Sequence, residues 1–154
     1  VAISPDGSGR FAVATFSSDV PIFAVERAKL RKISSCVGAK KKVLSVAWSP
    51  CSGFIAASSE DMMLRVYDVG GVKAQYGAST TAGVPSSAAL SSLVWVGDRV
   101  VGAAGTDVFV FDGATLEVLA VIRDAHAGPI SLAAGVRNDF VSWSSNSARL
   151  WKLQ

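Results

Sequence analysis

Four aromatic residues, Phe23, Tyr67, Phe111 and Trp151, each close a short alternating strand, and they stand 44, 44 and 40 residues apart. A fixed interval of that size means one supersecondary unit copied along the chain, each copy too small to bury both of its faces unless copies stack. The copies share an internal order. Val1-Ala2-Ile3-Ser4-Pro5 returns as Val46-Ala47-Trp48-Ser49-Pro50 and, more weakly, as Leu93-Val94-Trp95-Val96-Gly97-Asp98, a short apolar strand running into a turn. A strand of small and apolar residues follows, such as Phe54-Ile55-Ala56-Ala57-Ser58 or Val100-Val101-Gly102-Ala103-Ala104. Next comes a polar turn holding Asp19, Asp61, Asp107 or Asn146, and then the strand with the aromatic. Alternation of period two throughout predicts antiparallel strands.

Tyr67-Asp68 and Phe111-Asp112 occupy the place of a Trp-Asp dipeptide, Trp151 keeps the Trp, and Phe23 keeps an aromatic ring alone. Ala125-His126-Ala127-Gly128 precedes the first strand of the last copy, where a Gly-His element would stand. In these features the sequence resembles the WD40-repeat family over nearly its whole length. The resemblance implies an all-β propeller with four blades present, part of a larger ring of about seven. Residues 1–39, 40–76, 88–122 and 123–154 are the expected blades. The second is to be closed by an outer strand at Lys73–Tyr76, residues 77–87 are expected as a flexible loop, and the last blade is expected to lack its outer strand. Completion of that blade by a strand upstream of Val1 would make the chain the C-terminal part of a longer protein; the alternative is a half-ring that pairs with another copy. The resemblance also implies that His126 hydrogen-bonds to Asn146, which replaces the aspartate of the blade's tight turn. Within the family, Ala39-Lys40, Asp61-Met62-Met63 and Ile122-Arg123-Asp124-Ala125-His126 are similar to strings in actin-interacting members, which makes an actin-associated, cytoskeletal role an expectation.

Half of the 154 residues are hydrophobic, enough for a packed core. Cys36 and Cys51 form no CxxC pair and have a single histidine for company, so neither a disulfide framework nor a zinc site is implied and no metal or cofactor is expected. With no signal peptide or long apolar run, the expected location is the cytoplasm, with the nucleus as a second setting. Net charge is only +3, yet Arg27, Lys29, Arg31, Lys32, Lys40, Lys41 and Lys42 crowd between residues 27 and 42 with no acid among them. Such a patch suits an acidic protein, RNA or an anionic lipid; the bland alternative is a solvated edge whose lysines discourage strand pairing.

Chemistry is sparse. His126 could act as a base on Ser131 or Ser142, oriented by Asp124 or Asp139, but no nucleophile motif accompanies it, and its repeat position explains it as a structural hydrogen-bonding residue. No catalytic residue is assigned. Met62 and Met63, after the Glu60-Asp61 turn, are candidate contacts for a partner because methionine adapts to varied surfaces. Trp48, Trp95 and Trp143 lie within strands and are expected in the core. The expected function is a non-enzymatic scaffold for protein partners in a complex, with RNA or anionic lipid on residues 27–42 as the alternative.

Overall fold

Every regular element in the computed structural model, which describes residues 1–135 and 137–154, is a strand. Blade one comprises β1 (Ala2–Ile3), β2 (Arg10–Ala12), β3 (Val20–Glu26) and β4 (Lys29–Cys36). Blade two comprises β5 (Val43–Trp48), β6 (Phe54–Ser59), β7 (Met63–Asp68) and, after the two-residue β8 (Gln75–Tyr76), β9 (Thr80–Gly83). Blade three is β10 (Ser92–Val96), β11 (Arg99–Ala104), β12 (Asp107–Asp112) and β13 (Val118–Ile122), and blade four is β14 (Ser131–Ala134), β15 (Asp139–Ser144) and β16 (Ser147–Lys152). Neighbouring strands within each blade are antiparallel. The β4–β5, β6–β7, β11–β12 and β15–β16 connections therefore share one rim, called upper below, and the β3–β4, β5–β6, β10–β11 and β12–β13 connections share the lower rim.

Stacking follows from side-chain alternation along each third strand. Tyr67 and Phe111, fully buried, turn back toward the preceding blade, while the residue before each aromatic turns toward the next. Three apolar clusters result. Ile22, Val46, Ile55 and Tyr67 join blades one and two; Leu64, Val66, Leu90, Phe109 and Phe111 join two and three; Val101, Val108, Val110, Ile130 and Phe140 join three and four. Each large buried side chain is worth about 1.5–3 kcal/mol. The small second strands let blades approach closely: a methyl on Gly102 would meet the Leu90 methyl carbons at 2.9 Å.

Three details depart from the sequence reading. Gln75–Tyr76 does not close blade two. It pairs in parallel with Ser35 and Cys36 of β4, adding a fifth strand to blade one. The outer strand of blade two is β9, inside the segment expected as a loop, and it pairs with Met63–Val66. Trp143 is not core: it is 40% exposed, at the position held in blades two and three by the buried Ser58 and Ala103. Leu150 is 62% exposed, whereas its repeat equivalents Ile22, Val66 and Val110 are each 2% exposed. Blade four thus turns an apolar face outward where the other three press against a neighbour.

Candidate functional site

The basic stretch divides between the two rims. Arg27 and Ala28 form the two-residue turn between β3 and β4 at the lower rim, both at positive φ (50° and 61°). Strand alternation splits the cations that follow: Lys29 and Arg31 take one face of β4 and Lys32 the other, just ahead of a bulge at Ile33. All are exposed, and Arg31 Nη2 lies 2.6 Å from Glu26 Oε1. Lys40, Lys41 and Lys42 stand at the upper rim. The eight residues of β4 cover about 26 Å at roughly 3.3 Å per residue, with Arg27 at the lower rim, Lys29, Arg31 and Lys32 on the half of the strand nearest it, and Lys40, Lys41 and Lys42 beyond its other end. The seven cations therefore run from one rim toward the other along β4 and are not gathered at one rim.

At the upper rim the lysines gain an aromatic companion. Phe16, in the β2–β3 connection, is 88% exposed, and Lys42 Nζ lies 4.6 Å from its ring centroid, within cation–π range. Glu60 holds the same ammonium at 3.8 Å. Asp19 shares this connection, with its backbone N–H donating to the Ser17 hydroxyl at 3.4 Å. No repeat position required Phe16, and that was the only signal in the sequence.

Beside this rim lies a cavity of about 540 Å³ lined by residues including Lys40, Asp61, Met63 and Arg65. It brings together Lys40 and Met63, two of the residues singled out from sequence. Met62 occupies the β6–β7 turn with φ of +65° and is half-buried. Asp61 organises the cavity wall. Arg65 Nη2 donates to its Oδ2 at 2.7 Å, and so does the Lys40 backbone N–H at 2.9 Å; Arg65 Nη1 and the Met63 N–H reach Oδ1 at 3.2 Å, and the Ser59 hydroxyl donates to Oδ1 as well. Burial opposes ionisation of Asp61, but the Arg65 guanidinium, the Ser59 hydroxyl and the Lys40 N–H outweigh it and hold the carboxyl well below the usual range. In blade three Asp107 plays a similar part, accepting the Asp124 N–H at 2.9 Å and Arg123 Nη1 at 2.6 Å. These bonds lower its pKa too.

The aspartates after the aromatics tie down lower-rim turns. Asp68 Oδ1 accepts the Gly70 N–H, and Asp112 Oδ1 accepts those of Ala114 and Thr115. Asn146 stands exposed in the β15–β16 turn. His126 bonds instead to its neighbour: Nδ1 lies 2.6 Å from Ser147 Oγ and Nε2 lies 2.8 Å from Ser142 Oγ, which also accepts Trp151 Nε1–H at 2.7 Å. The expected Asn146 partner is thus corrected to Ser147. Both ring nitrogens are engaged and Ser142 is fully buried, so the pair has no access to a substrate.

The model of the family described as WD domain, G-beta repeat, matches residues 30–68, from the outer strand of blade one through the third strand of blade two. A crystal structure of RRP9 WD40 repeats superposes with a TM-score of 0.81 over 98% of the chain. The chain has the WD40 propeller fold. In that superposition sequence identity is 18% and 46% of the RRP9 chain is covered; a structure of U3-55K gives the same TM-score and identity with 47% of its length covered. The chain therefore spans about half the length of the solved structures it matches. No curated protein matches its sequence. These matches lend the expected actin association no support.

Proposed function

We propose that this WD40 arc is a non-enzymatic platform whose upper rim, between blades one and two, docks an acidic segment of a protein partner. The observation that carries the reading is Phe16, an exposed ring set beside Lys42 with Lys40 and Lys41 on the same loop. An apolar anchor beside cations matches a partner segment with an aromatic or aliphatic residue flanked by Asp or Glu, and the neighbouring cavity walled by Lys40 and Met63 offers that residue a seat. The engaged ring of His126 supports a structural role for that residue rather than chemistry.

Phe16 favours one second reading, single-stranded RNA, since its free face can stack a base while lysines meet phosphates. Titration with a Glu-Phe-Glu peptide, with poly-uridine and with anionic vesicles separates the cases. The reading predicts that the peptide binds best and that Phe16→Ala or Lys41→Glu weakens it roughly tenfold. Tighter binding of poly-uridine, with a steep salt dependence, overturns it in favour of RNA. Cosedimentation with filaments tests the actin-associated setting. The free Cys36 and Cys51 fit the proposed cytoplasmic or nuclear location.

A further inference from the structure

The outer strand of blade two is short, and its shortness opens a slot on the opposite rim. In blade three the outer strand pairs as far as Phe111, but in blade two pairing stops at Val66↔Thr80, one position before the equivalent Tyr67. The reason is the detour of residues 69–78, which run to the edge of blade one as β8 before returning as β9. Val69 N–H bonds to Gly53 O on the β6 side, and Val66 O accepts Ser79 N–H on the outer side. By alternation the peptide groups of Asp68 also face outward, where β9 has already ended.

Beside that open edge lies a cavity of about 550 Å³ between blades two and three. Phe54 and Trp95, stacked with centroids 6.3 Å apart, contribute two rings, Val66 adds an aliphatic surface, and Thr80 and Ala114 close one end through a 3.1 Å hydrogen bond from the Thr80 hydroxyl to Ala114 O. The lining is apolar and its volume suits one large side chain or a small ligand. Its surroundings carry several acids: Asp68 is exposed, Asp98 is 91% exposed at the side chain with Arg99 3.7 Å away, and Asp112 caps the adjacent turn.

We propose that this slot binds a short extended segment of a partner protein by strand addition. The segment's backbone pairs with the outer edge of β7 at Asp68, an aromatic or large aliphatic side chain enters the cavity against Phe54 and Trp95, and an adjacent Lys or Arg meets Asp98 or Asp68. Main-chain bonds supply affinity and the cavity with its acidic rim supplies selectivity. The partner differs in charge from the one proposed for the upper rim, so the two surfaces serve different partners.

Cys51 stands on the lip of the cavity and is exposed, whereas Cys36 is buried, so a thiol reagent reports on the slot alone. The test is the rate of Cys51 labelling in the intact chain with capped Lys-Val-Phe-Val-Lys peptide present. Labelling slows as this peptide is added, and Lys-Val-Ala-Val-Lys or Glu-Val-Phe-Val-Glu requires roughly tenfold higher concentration or more. Ala114→Trp, which fills the mouth from an exposed position, and Asp98→Lys, which reverses the rim charge, each weaken the effect by a similar factor with an unchanged thermal melt. Equal protection by all three peptides, or by the two variants, overturns the proposal. Equal protection by capped phenylalanine amide alone overturns strand addition, because the edge of β7 would then contribute nothing.

Discussion

Removing Asp61 tests whether the β6–β7 turn is held by charge. The Asp61 and Arg65 side chains are 8% and 6% exposed, and the carboxylate collects donors from two side chains and two backbone amides. Asp61→Ala leaves the guanidinium buried with only the Ser59 hydroxyl, 2.9 Å from Nη1, as a remaining partner. Stranding a buried charge in this way costs about 3–5 kcal/mol. Arg65→Met is milder, because methionine fills the space of the arginine stem and Asp61 keeps Ser59, Lys40 N–H and Met63 N–H; the loss is about 1–2 kcal/mol. The double variant is expected to be more stable than Asp61→Ala alone, with a coupling energy of about 2 kcal/mol or more. Urea unfolding of the four proteins at neutral pH, followed by circular dichroism with the slope compared across variants, measures each term. A loss below about 1 kcal/mol for Asp61→Ala, or strict additivity in the double variant, refutes the argument that the pair is coupled and desolvated.

Acid should destabilise the protein for the same reason. Asp61 and Asp107 titrate below their unfolded values, so the stability they contribute is complete above about pH 4 and is lost as pH falls below it; Asp61→Asn should flatten the urea-midpoint profile there. His126→Ala should cost about 1–3 kcal/mol by leaving Ser142 and Ser147 short of a partner, and in thermal melts Ser147→Ala should destabilise more than Asn146→Ala. Val110→Ala should cost about 2 kcal/mol, while Leu150→Ala at the same repeat position should cost under about 0.5 kcal/mol in this chain; equal losses would mean that something covers blade four. The β3–β4 turn carries two residues at positive φ, so replacing Arg27-Ala28 by Asn-Gly should stabilise by about 1 kcal/mol, read from the urea midpoint.

The repeat was legible because it is local. Alternation in β6, β7, β11 and β12 and the aromatic that ends each third strand are read from a few adjacent residues, and the interval between copies then dictates stacking. What escaped depends on contacts between copies. Gln75-Tyr76 and Thr80–Gly83 have similar short, unremarkable patterns, and only the folded neighbourhood decides which one closes blade two and which one leaves for β4. Phe16 and Lys42 are brought together by the packing of blade one on blade two, which no periodicity announces. Ser147 replaced Asn146 as the His126 partner because a one-residue offset in a tight turn lies below the resolution of repeat alignment. Trp143 read as core because it alternates correctly; the face it joins has no described neighbour.

The parallel pairing of β8 with β4 also bears on how the arc comes apart. Stacked blades otherwise share only side-chain contacts and isolated hydrogen bonds, so each interface could open separately, as coupled neighbours along a line do. Between blades one and two the main chain itself crosses over: Ser35 N–H bonds to Ala74 O and Val37 N–H to Tyr76 O, so peeling blade two away must also strip the edge of blade one. These two blades should behave as one unit under amide exchange, with Ser35 and Val37 opening together with the amides of β7, whereas blades three and four, joined by apolar packing, can open in sequence. Pulled from its ends, the arc would yield first on the side of blade four and last at this clasp.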